Sequence, residues 1–185
     1  MNRTQTQNEV TYGAVVRAAF KARGLPVEWG MAIAWVESGG TFDPGLINMT
    51  GGDLARGGSY GLVQMSLRTA KDLGYTGAGL DLCKPEVCTA LAAELFVRNK
   101  KDLETANVLA DFSRLAAAYN CGTHHVIEAT IPDSTLKYVT LAVSHMEHYA
   151  VQYGSENVCA APIVVEAQSE TLTSQIEPDD FLGVV

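Results

Sequence analysis

The sequence predicts a mainly α-helical single domain, on three observations. A chain of 185 residues suits one domain with a sizeable core. Apolar residues recur at three- and four-residue spacing in several separate stretches. Between those stretches run glycine-rich connections longer than compact domains usually carry, and loops of that kind are often functional.

Each element has its own reason. Residues 10–23 form a helix, with Val16 and Phe20 on one face and Val10, Ala14 and Ala18 on another, and Gly24 closes it. Pro26 suits the first turn of a second helix, where its missing N–H costs nothing. Ile33, Ala34 and Val36 make that helix apolar, and Gly39 and Gly40 stop it. Residues 41–60 read as a glycine-rich loop in which nothing alternates well enough to assign a hairpin. Ser66 is a good N-cap for a helix over 67–73, which Gly74 ends. After a loop marked by Gly77 and Gly79, Pro85 opens a helix to about residue 101, with Val87, Leu91 and Leu95 on one face. Val108, Phe112, Leu115 and Tyr119 share the stripe of the next helix, which Gly122 ends. Leu136, Val139, Val143, Met146, Ala150 and Tyr153 extend one stripe over five turns.

Charge divides the chain. All 13 Lys and Arg lie in residues 1–154 with 15 of the 21 acids, a net −2. Residues 155–185 hold six acids and no base. We therefore place the folded domain at 1–154 and an acidic tail, extended or ordered by a partner, at 155–185. That composition excludes a nucleic-acid surface, which needs clustered bases. No apolar run reaches the length of a membrane span. The polar residues 1–9 lack the apolar core of a secretory signal, so synthesis without export by that route is expected. Cys83, Cys88, Cys121 and Cys159 show no CxxC spacing, and no metal or other cofactor is expected. Cys83 and Cys88 are near enough in sequence to bridge across a helix start. Free thiols are the expectation for all four, with Cys121 buried beside the groove.

The residue that carries chemistry is Glu37. It sits in the last turn of an apolar helix, where carbonyl dipoles repel an anion and apolar neighbours remove water. Both effects raise a carboxyl pKa above the ordinary value of about 4.3. A Glu protonated near neutral pH is what a general acid requires.

Four short motifs then fall in a recognisable order. AIAWVESG at 32–39, followed by Phe42, Asp43 and Pro44, resembles the catalytic motif of the soluble lytic transglycosylase family, whose lysozyme-like fold goose-type lysozymes share. YGLVQM at 60–65 resembles that family's Gly-Leu-Met-Gln motif, with Thr69 and Ala70 where the family has Thr-Ala. AAYNCG at 117–122 resembles its Ala-Tyr-Asn-Ala-Gly motif, and Tyr138-Val139 its closing Tyr-Val. Val63 and Cys121 depart mildly from the pattern. The resemblance spans about residues 10–153.

The resemblance implies a lysozyme-like domain with glycine-rich loops around a groove. It implies cleavage of peptidoglycan strands between N-acetylmuramic acid and N-acetylglucosamine, with a 1,6-anhydro product. It assigns Glu37 as catalytic acid and Ser38, Tyr60, Gln64, Met65, Tyr119, Asn120 and Tyr138 as groove residues. From the residues themselves, Tyr119 continues an apolar stripe and is expected to pack in the core with its hydroxyl at the rim. Trp29 and Trp35 are expected in the core or the groove wall.

Two alternatives stay open. Hydrolysis in the manner of a muramidase usually needs a second carboxylate, about 5–9.5 Å away. Asp43, in a Phe-Asp-Pro turn, suits backbone service; Asp53, in the glycine-rich loop, suits hydrolysis if it faces the groove. A catalytically silent scaffold of a virion or secretion complex would have no need of Glu37, Gln64, Tyr119 and Asn120 together. The expected setting is a phage particle, or release to the bacterial wall at lysis, with the tail as the attachment.

Overall fold

Ala32, Ile33 and Ala34, three consecutive residues of the second helix, are fully buried, so that helix has no solvent face and must run through the middle of the molecule. The structure, a computed structural model, describes residues 6–153. The acidic stretch at 155–185 lies outside the described residues.

The chain order is α1 (Gln7–Ala22), α2 (Val27–Glu37), β1 (Ile47–Asn48), α3 (Gly51–Ala55), β2 (Ser59–Tyr60), β3 (Met65–Ser66) and α4 (Leu67–Asp72). A 3-10 turn at Gly79–Cys83 follows, then α5 (Pro85–Thr105), α6 (Phe112–Cys121), α7 (Thr123–Ile127) and α8 (Asp133–Tyr153). α2 packs along α8 on one side and α1 on another, while α1 also lies on α5 and α6 on α8. Gly30 permits the α1–α2 approach, because a Cβ there would stand 2.5 Å from the Phe20 ring. Phe20, Trp29, Phe96, Phe112 and Tyr119 form a continuous aromatic cluster, with neighbouring ring centroids 5.3–6.4 Å apart.

The two ends of the chain's helical body are tied together. Tyr149 Oη donates to the buried Glu9 carboxylate at 2.7 Å, and Arg17 Nη1 donates to Tyr153 Oη at 2.9 Å. These contacts hold the last turns of α8 on α1.

Several boundaries differ from the sequence expectation. Pro26 is the N-cap of α2 rather than a residue of its first turn. α6 starts only at Phe112, because the Asp111 carboxylate accepts the Arg114 N–H at 2.9 Å and caps it, which leaves Val108 outside the helix. Ser66 caps α4 as expected, its hydroxyl accepting the Thr69 N–H at 3.1 Å. The stretch read as a plain loop holds α3 and, with β3, an antiparallel sheet in the order β1-β2-β3. Its register pairs Ile47 with Tyr60, Asn48 with Ser59, Ser59 with Ser66 and Tyr60 with Met65. Strands of two residues cannot show a period of two, and in β2 and β3 both residues are buried, so no alternation exists to be read. The five-residue α7 is likewise too short to leave a periodic signal.

No helix among the described residues is long and apolar enough to cross a membrane. Among them, Cys83, Cys88 and Cys121 are free thiols. Cys121, expected to be buried, is only half-buried at the last residue of α6.

Candidate active site

A cleft of about 290 Å³ separates the helices from the small sheet. From the helical side Glu37, Leu95, Tyr119 and Asn120 line it. From the other side come Asn48, Asp53, Arg56, Ser59, Gln64, Met65, Ser66 and Thr69.

Glu37 ends α2, and burial is the largest influence on its carboxyl. Burial penalises the charged form and pushes the pKa up. Tyr138, reaching across from α8, donates its hydroxyl to Glu37 Oε1 at 2.7 Å and works in the opposite sense. The negative charge of Asp53 adds to the rise. The balance leaves Glu37 at about 7, so it is half protonated near neutrality. Burial raises the Tyr138 and Tyr119 hydroxyls well above their ordinary value, the nearby Glu37 carboxylate adds to this, and both phenols stay neutral donors.

Tyr119 has two functions in the packing. Its ring lies in the aromatic cluster, 5.6 Å from Phe96, and its hydroxyl donates to the Val63 carbonyl at 2.7 Å. One side chain of α6 thus pins the loop between β2 and β3. Gly61 in that loop has φ +74, and a Cβ there would stand 2.5 Å from the Leu82 carbonyl oxygen, so only glycine fits. Gln64 has φ +44, a left-handed conformation that a side chain rarely adopts. Its Nε2 donates to Gly61 O at 3.0 Å and Leu46 O at 3.3 Å, which holds the strained residue in place. Asn120 accepts the Thr135 hydroxyl at 2.7 Å through Oδ1, which fixes its amide at the cleft.

Asp53 faces the cleft and is heavily engaged. Its Oδ1 accepts from Ser59 Oγ at 2.6 Å and Arg56 Nη2 at 3.0 Å, and its Oδ2 accepts from Asn48 Nδ2 at 2.7 Å. Three of about four acceptor sites on the carboxylate are occupied. Asp43 accepts the Gly45 N–H at 2.8 Å in its turn and is not among the cleft-lining residues.

The structure brings Glu37, Gln64, Met65, Tyr119 and Asn120 to one cleft, with Tyr138 on Glu37. Two residues of the sequence-based set lie elsewhere. Ser38 is buried behind the cleft, where its Oγ accepts the Phe42 N–H at 3.0 Å and shapes the turn after α2. Tyr60 is buried on the sheet, and its hydroxyl donates to the Gly57 carbonyl at 3.0 Å. Both support the walls without lining the cleft. Sequence reasoning missed Asn48, Arg56, Ser59, Ser66, Thr69 and Leu95 as lining residues: the five polar ones lie on or beside two-residue strands and short helices that carry no pattern, and Leu95 reads only as part of the apolar stripe of α5. Among the described residues, no group of three or more His, Cys, Asp or Glu side chains is placed to hold a metal ion.

Against known proteins, residues 14–142 match the family model described as the Transglycosylase SLT domain. The fold is similar to a solved lytic transglycosylase Slt from Pseudomonas aeruginosa, an inactive glutamate-to-glutamine mutant, with a TM-score of 0.60 and 21% identity. That match covers 78% of this chain and 24% of the other, so this chain spans about a quarter of that protein's length. A search of curated proteins gave no significant match.

Proposed function

This chain belongs to the transglycosylase SLT family, and from that premise we propose that it cleaves the glycosidic bond between N-acetylmuramic acid and N-acetylglucosamine in peptidoglycan, with Glu37 as the one acid and base. The observation that carries the reading is a carboxyl held near pKa 7 at a cleft between helices and sheet, hydrogen-bonded by Tyr138. Such a group can give and take a proton at neutral pH. Glu37 in its protonated form donates to the glycosidic oxygen, and the leaving sugar departs. The resulting carboxylate then accepts the proton of the muramic-acid C6 hydroxyl, whose oxygen bonds to C1 and closes the 1,6-anhydro ring. No water enters. Tyr138 holds the carboxyl in place and steadies its charged form, while Gln64, Met65 and Asn120 line the path of the glycan.

Hydrolysis is the second reading, and Asp53 is the observation that favours it, since it faces the same cleft. Its engagement by Asn48, Arg56 and Ser59 supports the transglycosylase reading instead, because an oxygen already accepting hydrogen bonds is a poor base for water. Mass spectrometry of the muropeptides released from purified cell wall separates the two. Anhydro products lack one water relative to hydrolysed ones. Wild type active and Glu37→Gln inactive is the expected result; absence of cleavage by the wild type would leave only the scaffold role.

We extend the proposal to a setting, delivery on a phage particle with residues 155–185 as the attachment. Its support is composition alone. Six acids without a base accompany the apolar pieces 163–165 and 181–182, which are poorly placed in a stretch that only solvates. A chain ending at Gly154 keeps Tyr149 and Tyr153 on α1 and is expected to retain cleavage of isolated wall while losing incorporation into particles.

A further inference from the structure

Cys83 and Cys88 stand in a defined relation to one helix start. Lys84 is the N-cap of α5 and Pro85 its first residue. Cys83 therefore precedes the cap and Cys88 is the fourth helical residue. Apolar side chains at these two positions commonly pack on each other as a staple that fixes how the chain enters a helix. Here the two staple positions hold thiols.

A second observation places them together. A Cβ built on Gly61 would lie 3.2 Å from the Cys88 sulfur and 3.5 Å from the Cys83 Cα, so both cysteines border the same point of the loop. The Cys88 thiol donates to the Pro85 carbonyl at 3.6 Å within its own helix turn. That loop continues through Val63, which accepts from Tyr119, to Gln64 and Met65 at the cleft. The pair thus lies against the loop that carries Gln64 and Met65 to the cleft.

We propose that Cys83 and Cys88 are a disulfide-forming pair that closes when the protein leaves a reducing environment and clamps the 3-10 turn to α5 beside that loop. The inference is independent of the proposed activity. The oxidant is a small disulfide or a disulfide-carrying oxidoreductase. Cys83, half-exposed, attacks first: its thiolate bonds to one sulfur of the oxidant, and the other sulfur leaves as a thiolate. Cys88 then loses its proton to solvent and attacks the Cys83 sulfur, expelling the second oxidant sulfur. Two protein thiols lose two electrons and two protons, and the oxidant's S–S bond is reduced to two thiols. Burial holds the Cys88 thiol up at about 11, so closure is slow near neutrality and quickens as pH rises.

The test uses the full chain in a buffer of oxidised glutathione against one of reduced glutathione. Oxidised protein is expected to contain a peptide spanning residues 83–88 that is two hydrogens lighter and resists alkylation. Cleavage after Glu86 should leave its halves joined until reductant is added. The melting temperature should rise by several degrees and return on reduction. Cys83→Ala, at the half-exposed position, should abolish both effects, and Cys121→Ser should preserve them. Full alkylation of both thiols after oxidation would overturn the proposal. So would pairing of either with Cys121, Cys159 or a second molecule, or an unchanged mass with an altered melting temperature.

Discussion

The two walls of the cleft are built on different physics. The helical wall places its polar groups at the ends of apolar helices, where packing fixes them and excludes water. Glu37 ends a helix whose middle is fully buried, and Tyr119 has its ring in an aromatic cluster. The sheet wall has hardly any regular backbone pairing, with strands of two residues each. It is held instead by side chains: Asp53 receives Asn48, Arg56 and Ser59, and Gln64 fastens its own turn. Burial gives the first wall a carboxyl that is half protonated near neutrality. Hydrogen bonds make the second wall a shaped polar surface. Tyr119 to Val63 and Gly61 against Leu82 join the two.

If the helical wall alone supplies the proton chemistry, Glu37→Gln removes it while the fold remains. The expected loss in wall cleavage is about a thousandfold or more, with an unchanged circular dichroism spectrum. Retained activity would move the chemistry to the other wall, and Asp53 would be the first residue to examine.

Gly61→Ala breaks the joint between the walls. A methyl group at φ +74, 2.5 Å from a carbonyl oxygen, forces the loop off the 3-10 turn. A loss of about 2–3 kcal/mol in denaturant unfolding is expected. If the loop also leaves the cleft, cleavage falls at temperatures where the protein is still folded.

Burial of Glu37 also has a thermodynamic cost that its pKa reveals. The folded state binds the proton more tightly than the unfolded chain, about 7 against 4.5. Between those values the folded state carries more protons, so stability falls as pH rises from about 4.5 through 7. Gln cannot ionise. Glu37→Gln should therefore stabilise the protein at pH 8 by about 1–2 kcal/mol, discounted for partial solvent access at the cleft, and the gain should vanish near pH 4. An equal gain at both pH values would mean that burial is not the cause.

The smallest expected effects distinguish the walls by sign. Tyr138→Phe removes a hydrogen bond that lowers the Glu37 pKa, so the alkaline limb of the pH–rate profile should move up, with about tenfold less activity. Asp53→Asn removes a charge that raises the same pKa, so that limb should move down. Shifts in one direction for both variants would contradict the assignment of influences to the two walls.

The helical wall was largely legible in the sequence. Helices α1, α5 and α8 bury stripes long enough to leave a period, α2 reads as an unbroken apolar run between Pro26 and Gly39, and Ser66 marks the start of α4. Glu37 could be singled out because a carboxylate ending an apolar helix conflicts with its surroundings, and that conflict is local. Tyr119 could be placed on a helix face and Tyr138 in a motif, but their contacts could not, since Tyr138 reaches Glu37 across 101 residues of chain.

The sheet wall was decided by tertiary structure. Its strands are too short for periodicity, and Asn48, Arg56 and Ser59 gather on Asp53 only once the glycine-rich stretch has folded back on itself. Ser38 and Tyr60, though part of the motifs, turned inward because the Phe42 N–H and the Gly57 carbonyl needed partners. The sequence by itself determined which helices form and which carboxyl is out of place among apolar neighbours, because both depend on residues a few positions apart. Which polar groups face the cleft, and the pKa of about 7 that results, depend on water excluded by segments distant in sequence, and only the packed chain sets that.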